Sequence, residues 1–311
     1  MRKRLSGAHG VIGMPALGES HFVQVDDGRR LHFCVAGSGP VTVFFEAGIG
    51  RSRNTWAAVA PLVARFARIV TYDRAGHGLS DVDLCDRGLD RLISDHLAVR
   101  NAAVDGPCVV VGHSYGGPIT RGGAVRDPDD VAGVVLVDEV SELCDELVGL
   151  DGGLTDAVYQ SRLLLARLRL LPRIAPRLHN RLLRDTGDEA LDQQTAQVLA
   201  EAITEVRAED GGVTAAKTLV VEWEQYGESI RDFAETGPWI PEAPLVEISS
   251  NRVPEDKLAD DYIAQSHIET AERAERGKHV FASTSSHYIQ LTEPSLVVDE
   301  IRLLVESALV A

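Results

Sequence analysis

The hydrophobic pattern switches repeatedly between short apolar runs that fit strands and longer stretches with helical spacing. His21 to Asp26 and Arg30 to Ala36 read as two strands joined at Asp27-Gly28, a hairpin signal. Val41 to Phe45 is a continuous apolar run that ends in Glu46-Ala47-Gly48-Ile49-Gly50, and helical spacing follows from Trp56 to Phe66. Arg68 to Tyr72 resumes strand character before a turn at Gly76-His77-Gly78, and a helix fits Leu89 to Val104. Pro107 to Val111 reads as a fully buried strand, a helix follows Ser114, and Val131 to Val137 is another strand.

From about Glu142 to Pro241 the strands stop, and the chain becomes rich in Leu, Arg and Glu with helical period throughout. Strand-like Pro244 to Ile248, a helix around Leu258 to Arg276, the strand Val280 to Ser283 and a final helix Pro294 to Leu309 then restore the pattern. The expectation is an α/β fold, a mostly parallel sheet of about eight strands with helices on both faces. Its core would comprise residues 20–141 and 242–311, interrupted by a helical insertion over 142–241.

Composition narrows the class. With 311 residues, 44% apolar and 25% charged, the chain has enough material for one sizeable core plus an insertion. No apolar run approaches the roughly 18 residues of a membrane span. The basic Met1-Arg2-Lys3-Arg4 is followed by Gly- and Pro-broken sequence, a poor signal-peptide core. A net charge of −16 repels phosphate backbones, so a nucleic-acid partner is not expected. Cys34, Cys85, Cys108 and Cys144 are widely spaced with no C-x-x-C pair, which fits reduced thiols in the cytoplasm.

The chemistry concentrates at Val109-Val110-Val111-Gly112-His113-Ser114-Tyr115-Gly116-Gly117, where a buried strand stops at a serine enclosed by glycines. This G-x-S-x-G pattern is a nucleophile elbow: strand must reverse into helix at once, which strains the serine backbone and exposes its hydroxyl. The following helix aims its first NH groups at developing negative charge, and the Tyr115 NH is one such donor.

These residues, together with Phe44-Phe45-Glu46-Ala47-Gly48-Ile49-Gly50 and Trp56, Val70 to Ser80, and Ser286-His287-Tyr288-Ile289-Gln290-Leu291 followed by Glu293-Pro294, resemble the α/β-hydrolase superfamily. The resemblance is to the branch of serine hydrolases with a helical cap after the sixth strand, which includes esterases and proline iminopeptidases. It implies an eight-stranded fold of the kind the pattern predicts and a Ser, acid, His order along the chain.

A serine hydroxyl needs a neutral imidazole to accept its proton. Ten histidines compete, and His287 is the best candidate because it follows the last strand and because the resemblance places the family's histidine there. His113, inside the elbow, reads as structural. The imidazole needs a carboxylate to fix its tautomer. The family's commonest acid position falls in Ser249 to Asp256, which lacks the usual early aspartate; Asp256 or Glu255 is the alternative there. A family variant puts the acid after the sixth strand, where Asp138 stands, and Asp138 is preferred. The second oxyanion donor falls on Ile49, after Ala47-Gly48 where the family usually has His-Gly, with Glu46 and Arg51 as candidates to brace that loop. Asp73, Arg74 and Gly76 match family residues that shape a neighbouring loop.

Two features of the insertion stand apart. Arg162, Arg167, Arg169, Arg173, Arg177, Arg181 and Arg184 lie in a Leu-rich stretch without acids, with Leu164, Leu168 and Leu171 at helical spacing and breaks at Pro172 and Pro176. They read as leucines packed over the site and solvated arginines, or as an approach surface for an acyl or anionic substrate. Glu222, Glu224, Glu228, Asp232 and Glu235 read as a solvated face, or as carboxylates for a substrate amino group, as in the iminopeptidases.

The leading expectation is a serine hydrolase that cleaves a small-molecule carboxylic ester, with a partly apolar acyl group, through an acyl-enzyme. No cofactor or metal is implied. The same elbow also serves amino-terminal peptidases, C–C bond hydrolases and cofactor-free perhydrolases, and a ligand-binding receptor with a vestigial triad is the reading from another class.

Overall fold

The computed structural model describes residues 17–142, 152–170, 193–208, 211–237, 239–251, 257–283 and 285–310. Eight strands form one sheet: β1 (Glu19–Gln24), β2 (Arg30–Ala36), β3 (Thr42–Glu46), β4 (Arg68–Tyr72), β5 (Cys108–His113), β6 (Val131–Val137), β7 (Leu245–Ser249) and β8 (Gly277–Phe281). Their order is β1-β2-β4-β3-β5-β6-β7-β8, with the first two pairings antiparallel and the remainder parallel.

Strand periodicity decides which residues face which layer. Val43, Phe45, Val109, Val111, Val135, Val137, Val246 and Ile248 share one face with α1 (Ala60–Val63) and α9 (Pro294–Ala308). Their neighbours Phe44, Val110, Val134, Leu136 and Leu245 share the other with α2 (Leu89–Ala103), α3 (Gly116–Arg126) and α7 (Lys257–Arg273). Each such side chain contributes about 1.5–3 kcal/mol when fully buried. Slipping one strand by a single residue would exchange its two faces.

Two expected elements moved. The helix over Trp56 to Phe66 is split into a 3₁₀ turn at Arg53–Trp56 and the single-turn α1. Pro61 sits in the first turn of α1, and a ring without an N–H starts a helix more readily than it continues one. The last strand begins earlier than its apolar residues, at Gly277, because β7 pairs with it from Leu245 onward.

Between β6 and β7 the described residues are helical, in α4 (Gly152–Arg167), α5 (Gln193–Ala208) and α6 (Val213–Thr236). Leu163 and Ala166 of α4 pack on Ala216 and Val220 of α6, whereas Leu164 is 56% exposed and Leu168 also faces outward. The stripe that packs is therefore offset by one residue from the expected leucines. Leu171, Pro172, Pro176, Arg173, Arg177, Arg181 and Arg184 lie outside the described residues. A further short helix among the described residues, α8 (Ile289–Thr292), leads into α9.

Strand order also locates the site. From β3 the chain crosses to β4 on one side, and from β5 it crosses to β6 on the other, so the loops after β3 and β5 diverge. In open α/β sheets, ligands bind in the crevice at such a switch point, beyond the carboxyl ends of the strands.

Candidate active site

Ser114 follows the carboxyl end of β5 with φ +53°, in the left-handed region that costs a residue bearing a Cβ about 1–2 kcal/mol. The surroundings hold it there. The Ser114 N–H donates to the Val137 carbonyl (3.2 Å), and its own carbonyl accepts from Gly117 (2.8 Å) and Val140 (3.1 Å). A Cβ at Gly112 would lie 2.6 Å from the Gly116 carbonyl oxygen, and one at Gly116 would lie 2.7 Å from that of Ala47. Both glycines of the motif are thus imposed by the close approach of backbone to backbone.

His287 lies in the loop after β8, and its Nδ1 donates to Asp138 Oδ2 at 2.8 Å. Asp138, directly after β6, also accepts from the Ser250 N–H through Oδ1 (2.8 Å), so both carboxylate oxygens are engaged. The second sequence candidate for this role, Asp256 or Glu255, lies outside the described residues. Burial pushes the Asp138 carboxyl up, but the His287 hydrogen bond and charge outweigh it and hold the acid well below its ordinary range. Around His287 loss of water opposes protonation, and the Asp138 carboxylate overcomes it, raising the imidazole above its usual value. With Nδ1–H committed to Asp138, the lone pair of the neutral ring is on Nε2.

His113 links this pair to the elbow. Its ring is 4.8 Å from that of His287, and burial pushes its pKa down to about 3, so it is neutral. Its Nε2 is 2.9 Å from the His287 carbonyl oxygen, which can only accept, so the single ring proton sits on Nε2. His113 is therefore a strut between the serine loop and the histidine loop.

The loop after β3 closes the other side of Ser114. A Cβ at Gly48 would be 3.2 Å from Ser114 Cβ and 2.9 Å from His113 Nδ1, so only a bare backbone fits. Ile49 and Tyr115 pack in one apolar cluster with Tyr226 and Ile230 of α6. Gly50 has φ +63° and stands in the third position of a turn closed by Arg51 N–H to the Gly48 carbonyl (3.3 Å).

A profile of the alpha/beta hydrolase family matches residues 43–300, from β3 through the elbow, Asp138 and His287. The chain belongs to the alpha/beta hydrolase family. The hydrolase is 39% identical over 103 residues to the uncharacterized protein YqjL of Bacillus subtilis, an alignment covering 33% of this chain and 41% of that one. It is 32% identical over 126 residues to lipase LipV of Mycobacterium tuberculosis, covering 40% and 45%. The matched stretch thus spans less than half the length of either relative. Among solved structures, the thermophilic esterase of Thermogutta terrifontis superposes with a TM-score of 0.62 at 17% identity, over 94% of this chain and 99% of that one, a likeness of fold.

Sequence reasoning placed two residues of the hydrolase differently from the structure. Glu222, read as part of a solvated face or a substrate-amine site, is fully buried; Glu224, Glu228, Asp232 and Glu235 are the exposed ones. Glu222 accepts from Arg87 Nη2 (2.7 Å), Arg74 Nε and Nη2 (3.2 Å each) and the Gly50 N–H (3.3 Å), with His77 Nε2 at 3.5 Å. Burial raises its pKa, but the two guanidiniums and His77 hold it well below the ordinary value. Of the two candidate braces, Glu46 reaches the loop through Arg74 (2.9 Å), while the Arg51 side chain turns to Tyr288, donating to its hydroxyl at 2.5 Å and stacking on its ring. The signal for Glu222 was present: it falls three and four residues from Leu219, Thr218 and Tyr226, inside the buried stripe of α6.

Proposed function

We propose that this hydrolase cleaves a carboxylic ester of a small molecule with a partly apolar acyl group, through an acyl-enzyme on Ser114. The observation that carries the reading is the Asp138–His287 hydrogen bond, joined through His113 to a serine held at positive φ. Ser114 Oγ attacks the ester carbonyl while His287 Nε2 takes the hydroxyl proton, and Asp138 steadies the imidazolium that forms. The tetrahedral oxyanion is received by the Tyr115 and Ile49 N–H groups. Collapse breaks the bond to the alcohol, which leaves with the proton from His287. Water, deprotonated by the same imidazole, then adds to the acyl-enzyme and releases the carboxylic acid and free Ser114.

Helices α4, α5 and α6 act as the cap in this reading, with α6 packing Tyr226 and Ile230 against the Tyr115–Ile49 side of the site. Burial of Glu222 among cations makes that carboxylate unavailable to a substrate ammonium, which removes one of the five cap acids from the amino-terminal peptidase alternative. Among the described residues no helix is long and apolar enough to cross a membrane. Cys34 and Cys108 are free and buried, with thiols pushed up to about 12 by desolvation, and we place the enzyme in the cytoplasm.

Rapid mixing with p-nitrophenyl butyrate tests the reading. A burst of p-nitrophenol equal to the enzyme concentration, absent in Ser114→Ala, is expected. Ester cleavage that survives in Ser114→Ala would remove Ser114 as the nucleophile, and thermal stabilisation by ligands that survives Ser114→Ala, with no burst and no turnover on any aryl ester, would replace the enzyme with a ligand-binding receptor.

A further inference from the structure

The Ile49 N–H belongs to the Gly48–Ile49 peptide, and the opposite end of that peptide is anchored in the protein interior. The Gly48 carbonyl accepts from Arg74 Nη2 at 2.7 Å, and Arg74 Nη1 donates to the preceding carbonyl, that of Ala47. In a trans peptide the C=O and N–H point in opposite directions, so a carbonyl fixed on Arg74 aims the N–H away from it. Gly48 lies directly against Ser114 Cβ, so this peptide borders the serine.

Arg74 is not free to shift. It is almost fully buried, and its fork is held by Glu46 Oε1 (2.9 Å) on β3 and by both oxygens of Glu222 on α6. Glu222 also receives the Gly50 N–H, one residue beyond Ile49. One group in each of three consecutive peptide units of the loop is therefore held by one guanidinium and one carboxylate: the Ala47 and Gly48 carbonyls by Arg74, and the Gly50 N–H by Glu222. We infer that Arg74 and Glu222 are positioning residues for the Ile49 oxyanion donor, and that helix α6, by supplying Glu222, sets the aim of that donor from outside the α/β core. Arg87, which adds its Nη2 to Glu222, keeps the carboxylate charged and in place.

A planar fork is needed at position 74, because two neighbouring carbonyls and two carboxylates must be reached at once; lysine offers a point charge without that geometry. A carboxylate is needed at 222 because glutamine would put an amide N–H₂ against a guanidinium on one side.

This inference rests on the ester-hydrolase reading, and the test separates the two. Inhibition constants are measured for butyl trifluoromethyl ketone, which adds Ser114 to form a hemiketal oxyanion, and for butyl methyl ketone, which binds without adding. Wild type is expected to prefer the trifluoromethyl ketone strongly. Glu222→Gln and Arg74→Lys are expected to lose about 10- to 100-fold of that preference, less than the roughly 100- to 1000-fold for deleting an oxyanion donor outright because the donor is misaimed and not removed, with the methyl ketone constant unchanged and kcat falling while KM holds. Glu222→Asp, which restores the charge, is expected to recover part of the loss. Should Arg74→Lys not fold, Glu222→Gln alone decides, since it keeps the side-chain shape and an acceptor for Gly50. Variants that keep the full preference, or that lose both ketones equally through general loosening, overturn the inference. A wild-type protein with no preference removes the ester reading itself, and the inference with it.

Discussion

Two buried carboxylates flank the candidate site and are built for opposite purposes. Asp138 faces an imidazole whose side chain is 46% exposed and whose pKa the Asp138 carboxylate raises against the loss of water. Glu222 is sealed among guanidiniums that stay charged at any working pH. Both carboxyls are held below their ordinary range against burial. The difference lies in the partner: in the proposed mechanism the carboxylate beside an imidazole supports proton transfer, and the one beside permanent cations is inferred to hold backbone. The sequence order Ser, acid, His identifies only the first kind.

The largest loss of activity is expected at Ser114. Ser114→Ala is expected to lower kcat roughly a millionfold, as for a nucleophile acting as a unit with its base, measured on p-nitrophenyl butyrate. Asp138→Asn should follow with a loss of about ten-thousandfold, and Asp256→Asn should leave kcat within a few-fold of wild type. Equal, modest losses at 138 and 256 would mean that neither is the acid.

Of the two carboxylates, only the one paired with His287 is expected to give activity a pH dependence. The kcat/KM of wild type should rise as His287 loses its proton, with a midpoint above the ordinary histidine value of about 6.5. Asp138→Asn, which removes the charge that favours imidazolium, should move that midpoint down. Stability has the opposite slope. His287 is raised on folding, so its contribution is full below the unfolded histidine pKa and is lost as pH rises through the folded one. Asp138 is lowered, so its contribution is present above about pH 4 and is lost as pH falls through its folded value. The pair therefore stabilises most in mild acid, where activity is already falling. A thermal-melt series from pH 4 to pH 8 checks this, and in Asp138→Asn the slope attributable to the pair should disappear.

Smaller effects come from the struts. Gly50→Ala adds a Cβ 2.5 Å from Leu219 Cδ1 at a left-handed φ, and is expected to cost about 1–3 kcal/mol in denaturant unfolding. His113→Leu leaves the His287 carbonyl without its donor, a loss of about 1–3 kcal/mol. Glu228→Gln, on the exposed face of α6, should stay within about 0.5 kcal/mol of wild type.

The sheet was legible because a short apolar run bounded by turn residues is a local signal, and Arg68–Tyr72 and Val131–Val137 fall where their apolar runs do. The elbow was legible for the same reason: its glycines and serine are adjacent in sequence. The acid was narrowed to two loops, because the choice depends on which loop turns toward His287, a matter of long-range packing. Least legible was the web around Arg74 and Glu222, residues separated by most of the cap sequence. A glutamate on an amphipathic helix reads as solvated unless its angular position within the apolar stripe is weighed against the face it joins. His113 was recognised as structural, but its partner, a carbonyl 174 positions away in sequence, had no local signature.

A fluorophosphonate probe reports whether Ser114 is a nucleophile activated by His287. After reaction of the folded protein, digestion and mass spectrometry should find a single modified peptide carrying the probe on Ser114, with a labelling rate that rises with pH in step with kcat/KM and vanishes in Ser114→Ala. Folded wild-type protein that stays unmodified, or that is modified at another residue at the same rate in Ser114→Ala, would contradict the account.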